Sequence, residues 1–166
     1  MNRILVLCAC ISIGLNLFSF KAYEPLETED YADLCGLSVD EFVLFSSVVE
    51  AESNRQAPTD GALTTEGRVY IALVIWNRLY DYDRWHCDSI TAVLTAPGQF
   101  STVRGGQSVT QRTEWSDRAV YEAYIWLNEK NSDAPDVQFF NCRYWFSGVE
   151  RYGDSAIGGN YFSLGG

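Results

Sequence analysis

The chain has 166 residues, 47% hydrophobic and 14% aromatic, enough for one compact core and too few for two. Twelve basic residues against 22 acidic ones leave a formal net charge of -10, and no basic stripe runs along any segment, so nucleic acid is not expected as a partner and anionic lipid headgroups are disfavoured as ligands. A single histidine, His86, cannot supply the paired ligands of a usual zinc hydrolase site. Phosphate-binding glycine loops, calcium loops and nucleophile-elbow serines are also missing, so neither a metal nor a cofactor is expected.

Residues 1–22 open on Met1-Asn2-Arg3 and run apolar from Ile4 to Phe20, the pattern of an export signal or of a retained membrane anchor. Residues 23–33 are acidic and aperiodic and read as a linker, with the folded domain over residues 34–166. Ser38 followed by Glu41 is a capping box that starts a helix through Phe42, Phe45, Val48 and Val49, with Glu50 near its end. The polar stretch from Asn54 to Thr65 is a loop, and the nearly continuous apolar run between Glu66 and Tyr80 predicts a helix buried on most sides. Asp88 is placed to cap a short helix carrying Ile90, Val93 and Leu94, which Pro97-Gly98 stops. A further helix is predicted over Trp115–Glu129, and strands over Val137–Cys142 and Asn160–Leu164, which are expected to pair. The fold class is therefore α+β: a mainly helical domain with a small antiparallel sheet near its C-terminus, read as a monomer.

Five cysteines are present, two of them, Cys8 and Cys10, within the export segment. That leaves Cys35, Cys87 and Cys142, an odd number, with Cys35–Cys87 the expected disulfide in an oxidising compartment. Cysteine-peptidase chemistry is disfavoured because His86 adjoins Cys87 in sequence and is not brought to it from another element.

Carboxylates, amides and aromatic rings remain, an inventory suited to sugars: rings stack on pyranose faces, amides bond hydroxyl and acetamido groups, and a carboxylic acid protonates a leaving oxygen. Glu50 and Glu52 are the first acid candidates, with Glu66 as another carboxylate. On the helical projection Glu50 falls between Val39 and Val43 and Glu52 between Phe45 and Val48, so apolar neighbours are expected to keep either one protonated, and geometry alone does not choose between them. Gln99, Phe100, Ser101, Asn141, Trp145, Asn160 and Tyr161 are candidate ligand contacts. Asn141 and Asn160 are expected to face each other across the strand pair, with Tyr161 on the opposite face from Asn160.

Several blocks stand in a telling order: Glu50-Ala51, Glu66-Gly67-Arg68-Val69 leading to Ile75-Trp76-Asn77-Arg78, Gln99-Phe100-Ser101, Phe139-Phe140-Asn141, and Ile157-Gly158-Gly159-Asn160-Tyr161-Phe162. In these blocks the chain, from Glu41 to Leu164, resembles the spore cortex-lytic, SleB-type family of cell wall hydrolases. That resemblance implies a lysozyme-related fold, peptidoglycan as the partner, and Glu50, the glutamate before alanine, as the catalytic acid. Val49, Ser53-Asn54 and Asn160 depart from the family's pattern. No second carboxylate can be placed from sequence, so the reaction expected is a lytic transglycosylase step, in which the muramic acid 6-hydroxyl replaces water as nucleophile. A muramidase using water, a glycan-binding module without catalysis, and a protein-binding scaffold are the alternatives.

Overall fold

The computed structural model describes residues 26–54, 65–100, 103, 112–130, 132–141, 143 and 145–165. The expected export segment, most of the loop after α2, Ser101 and Cys142 lie outside the described residues. The elements are α1 (Thr28–Cys35), α2 (Val39–Asn54), α3 (Thr65–Tyr80), α4 (Tyr82–Trp85), α5 (Ile90–Thr95), α6 (Glu114–Asn128), β1 (Val137–Asn141), β2 (Arg151–Ile157) and β3 (Asn160–Leu164). The architecture is α+β and mainly helical, with one three-stranded antiparallel sheet of order β1-β3-β2 near the C-terminus.

Helix α3 is the axis of the domain. Val69 to Ile75 are buried on every side, because α2, α5, α6 and the sheet all pack against this helix. Trp76 fixes the contact with α6 through an Nε1–H bond to the Val120 carbonyl at 3.2 Å, and its ring meets Phe45 of α2 and Tyr124 of α6 at 5.2 Å. Fully burying side chains such as Phe45, Ile71, Leu73 and Phe162 stabilises the fold by roughly 1.5–3 kcal/mol each. The sheet is tied to the same C-terminal part of α3 by Asn77, whose Nδ2 donates to the Pro135 and Val137 carbonyls at 3.0 Å. Phe162 of β3 meets Tyr70 of α3 at 5.3 Å.

The start of α2 is the capping box expected: Ser38 Oγ accepts from the Glu41 amide at 3.3 Å while Glu41 Oε2 accepts from the Ser38 amide at 3.4 Å. Three other expectations need correction. From Thr28 onward the acidic stretch is not an aperiodic linker but helix α1, which buries Tyr31, Ala32 and Cys35 as one stripe and stacks Tyr31 on Phe42 at 5.9 Å. The cap of α5 is Ser89 instead of Asp88, its Oγ accepting from the Ala92 amide at 3.2 Å. Cys35 and Cys87 are separate buried thiols: Cys35 belongs to the α1 stripe, while Cys87 Sγ donates to the Trp85 carbonyl at 3.3 Å.

Between the two predicted strands lies a third, β2. Its residues alternate little and are mostly exposed, so backbone pairing to β3 defines it, with no buried face to mark it in sequence.

Candidate active site

Glu50 sits on the last full turn before the end of α2, 3% exposed. The apolar surroundings expected for it are not what its carboxylate meets. Arg68, from the first turns of α3, donates Nε to Oε2 at 2.9 Å and Nη2 to Oε1 at 3.0 Å, a two-pronged pair that is buried on both sides. Thr113 Oγ1 donates to the same Oε2 at 2.8 Å. Three charge-assisted or hydroxyl donors on one carboxylate favour its ionised form. Burial was expected to keep the proton on; the guanidinium supplies the counter-charge that lets a buried carboxylate stay deprotonated.

Local sequence places each partner. Thr113 is the N-cap of α6, where a hydroxyl is preferred, and its Oγ1 also accepts from the Ser116 amide at 3.3 Å. Behind it, Ser46 of α2 bonds Ser116 at 3.0 Å and donates a short bond to Asp117, so the start of α6 is fastened to α2 one turn before Glu50. Burial pushes the Asp117 carboxyl up, against the pull of the Ser46 bond and of Arg112 at 3.3 Å. Thr113 in turn lines a polar groove of about 260 Å³ together with Leu26, Glu27, Thr28, Arg112, Glu114 and Asp117. The Glu50 carboxylate therefore stands one hydroxyl behind the wall of an open groove between α1 and α6.

The other carboxylates differ. Glu52 is buried at 6% exposure, two residues further along α2, so it projects about 200° away from Glu50 around the helix axis. Glu66 is exposed in the first turn of α3.

The predicted ligand contacts fall into separate groups. Asn160 is wholly buried, and neither its Oδ1 nor its Nδ2 has a hydrogen-bond partner among the described residues. Alternation along β3 puts it on the same side as Phe162, toward α3. Asn141 does not face it: the register pairs Asn141 with Tyr161, so the two asparagines lie on opposite faces of the sheet, and Asn141 Oδ1 instead accepts from the Arg143 amide at 2.9 Å. Tyr161 shares that outer face and lies 4.4 Å from the Trp145 ring, whose centre is 4.8 Å from the Arg151 guanidinium. The buried Nε1 of Trp145 has no acceptor among the described residues.

Gln99 and Phe100 belong to the other end of α3. Gln99 Oε1 accepts from Arg78 Nη1 at 2.7 Å, and Phe100 is core, 6.3 Å from Phe140. Arg68 and Arg78 are ten residues apart on α3, which separates their backbones by about 15 Å along the axis. Arg68, Thr113 and Arg78 are thus the residues of these clusters that the candidate set lacked. Two basic residues flanking the apolar run from Val69 to Trp76 are the signal that would have marked the arginines.

A family profile described as Cell Wall Hydrolase matches residues 63–162, more than half of the chain. The matched span holds Arg68, Arg78, Gln99, Thr113, strands β1 and β2 and the first half of β3, while Glu50 precedes it. No curated protein and no solved structure matches the chain.

Proposed function

The chain belongs to the cell wall hydrolase family, and from that premise we propose that it cuts the glycan strand of peptidoglycan in the cell envelope, with Glu50 carrying the proton. The observation that supports this reading is the buried Glu50 carboxylate, gripped by Arg68 and by the groove-lining Thr113. A structural ion pair alone has no need of a third donor that opens onto a polar groove.

The resting pair holds Glu50 as a carboxylate, so acid catalysis requires productive binding to draw Arg68 off while Glu50 takes up a proton. Glu50 then gives that proton to the glycosidic oxygen as the bond to the anomeric carbon breaks. As a carboxylate it next removes the proton of the muramic acid 6-hydroxyl, whose oxygen closes on the anomeric carbon to form the anhydro sugar. Glu50 ends the reaction protonated, as it was when the bond broke, and returns that proton to solvent as product leaves and Arg68 closes on it again; the substrate supplies the nucleophile that a second carboxylate would otherwise activate. The divergence of Glu52 and the exposure of Glu66 support this single-glutamate route over one using water.

Residues 1–22 would carry the domain to its substrate as a signal or as an anchor.

Mass spectrometry of fragments released from peptidoglycan by the wild type, Glu50→Gln and Glu52→Gln tests the reading. Anhydro-muramyl ends that vanish only in Glu50→Gln are expected. Reducing, hydrated ends would replace the transglycosylase step by a muramidase one, and glycan binding without any product would make the domain a binding module.

A further inference from the structure

Arg78 is 5% exposed at the C-terminal end of α3. Its Nε and Nη2 donate to the Gln138 carbonyl at 2.9 and 2.6 Å, and its Nη1 donates to Gln99 Oε1 at 2.7 Å. The guanidinium carbon lies 4.5, 5.3 and 5.8 Å from the ring centres of Trp85, Phe100 and Phe139. No carboxylate pairs with it among the described residues. Burial lowers its pKa only to about 10, so it remains a cation at neutral pH.

A guanidinium has donors and no acceptor, so the end of the Gln99 amide that faces it is the carbonyl oxygen. The Nε2 end is then turned away from Arg78, and no hydrogen bond to it occurs among the described residues. Gln99 is only half-buried, and its backbone is fixed by the preceding turn, where Gly98 has φ +80° and the Gln99 amide donates to the Ala96 carbonyl at 3.2 Å. A cation drawing on Oε1 also polarises the amide, strengthening its N–H groups as donors.

We propose that Gln99 Nε2 is a donor for an acyl oxygen of the glycan strand, and that Arg78 is the positioning residue that fixes this polarity. The inference rests on the glycan-cleaving reading above and adds to it a second contact region, at the opposite end of α3 from Glu50. An acyl oxygen, from an acetamido group or from the lactyl carbonyl of muramic acid, accepts without donating and so matches a donor-only contact. A free amine, cationic at neutral pH, does not.

Gln99→Glu is the decisive variant, because a carboxylate keeps the Arg78 bond and the side chain's shape while removing both N–H donors. KM on N-acetylated peptidoglycan should rise about 5–10-fold with kcat within about twofold, the equivalent of one lost hydrogen bond of about 1 kcal/mol. Equilibrium binding of soluble glycan fragments should weaken by the same factor. If the variant no longer distinguishes acetylated from de-N-acetylated strands, the contact is to the acetamido oxygen; an equal rise in KM on both assigns it to the lactyl carbonyl. Arg78→Lys, which loses the fork that fixes the amide, should fall between wild type and Gln99→Glu in KM. Unchanged KM and binding in Gln99→Glu, or a loss confined to kcat, overturns the proposal while leaving the cleavage reading intact. A wild type that neither cuts nor binds glycan overturns both.

Discussion

Arg68→Met removes one member of a pair whose side chains are 6% and 4% exposed, taking two charge-assisted bonds from the buried Glu50 carboxylate and keeping the Thr113 bond. Breaking a buried ion pair from one side costs roughly 3–5 kcal/mol, because the surviving charge keeps its desolvation penalty and loses its partner. At about 2–4 °C of Tm per kcal/mol for a domain of this size, the variant should melt roughly 6–20 °C below wild type. Glu50→Leu combined with Arg68→Met removes both penalties together, so the double variant should be more stable than Arg68→Met alone. Calorimetry and urea denaturation at pH 7 on the two single variants and the double one close the cycle. A Tm change below about 2 °C in Arg68→Met would show that the pair is solvated and would refute the charge argument on which the resting state of Glu50 rests. Activity gives an independent arm. Without the guanidinium Glu50 holds its proton to higher pH, so the falling, alkaline limb of kcat/KM should move upward in any variant that still folds.

Three further outcomes follow from the same physics. Burial raises the Cys35 thiol to about 12, so thiol reagents should leave it untouched in the native domain at pH 8 and modify it only on unfolding; native-state labelling mapped by mass spectrometry at a rate typical of exposed cysteine would contradict the burial. Asp117 has a folded pKa raised above its ordinary 3.8, so its ionisation opposes folding: the cost is absent below the unfolded pKa, grows as pH rises, and is complete above the folded pKa. The Tm difference between Asp117→Asn and wild type should therefore move in the variant's favour from about pH 3.8 upward and then level off, and a difference independent of pH would be the wrong result. Asn160→Leu removes two buried polar atoms without a hydrogen-bond partner among the described residues, which cost on the order of 1–3 kcal/mol when left unsatisfied; the variant should melt higher than wild type, and a lower Tm would mean that Asn160 is satisfied in the folded protein.

The helices that carry the core announce themselves in sequence because a capping box and a nearly unbroken apolar run are local signals: Ser38–Glu41 and the run from Val69 to Ile75 need no tertiary context. Helix α1 is harder to see, since its buried stripe of Tyr31, Ala32 and Cys35 is diluted by four acidic residues, Glu27, Glu29, Asp30 and Asp33, counted with its cap. Strand β2 leaves almost no pattern, as its side chains are mostly solvent-facing. At the site, Glu50 is legible from its block, but its partners are not: Arg68 reaches it across a loop and Thr113 from 63 residues away. Register was equally out of reach, because moving one residue along β3 exchanges the faces of the sheet and separates Asn141 from Asn160.

The strand order β1-β3-β2 leaves β2 as an outer strand, with Gly153 at φ +72° and a break in its pairing between Tyr152 and Ile157. A straight outer strand offers its free amides and carbonyls as a template on which a second molecule can add, and a kinked one carrying Arg151 and Asp154 does not. Copies of the domain held at high local density are thereby kept from pairing through β2, which makes Gly153→Val, which puts in a residue that cannot hold this φ, a route to self-association.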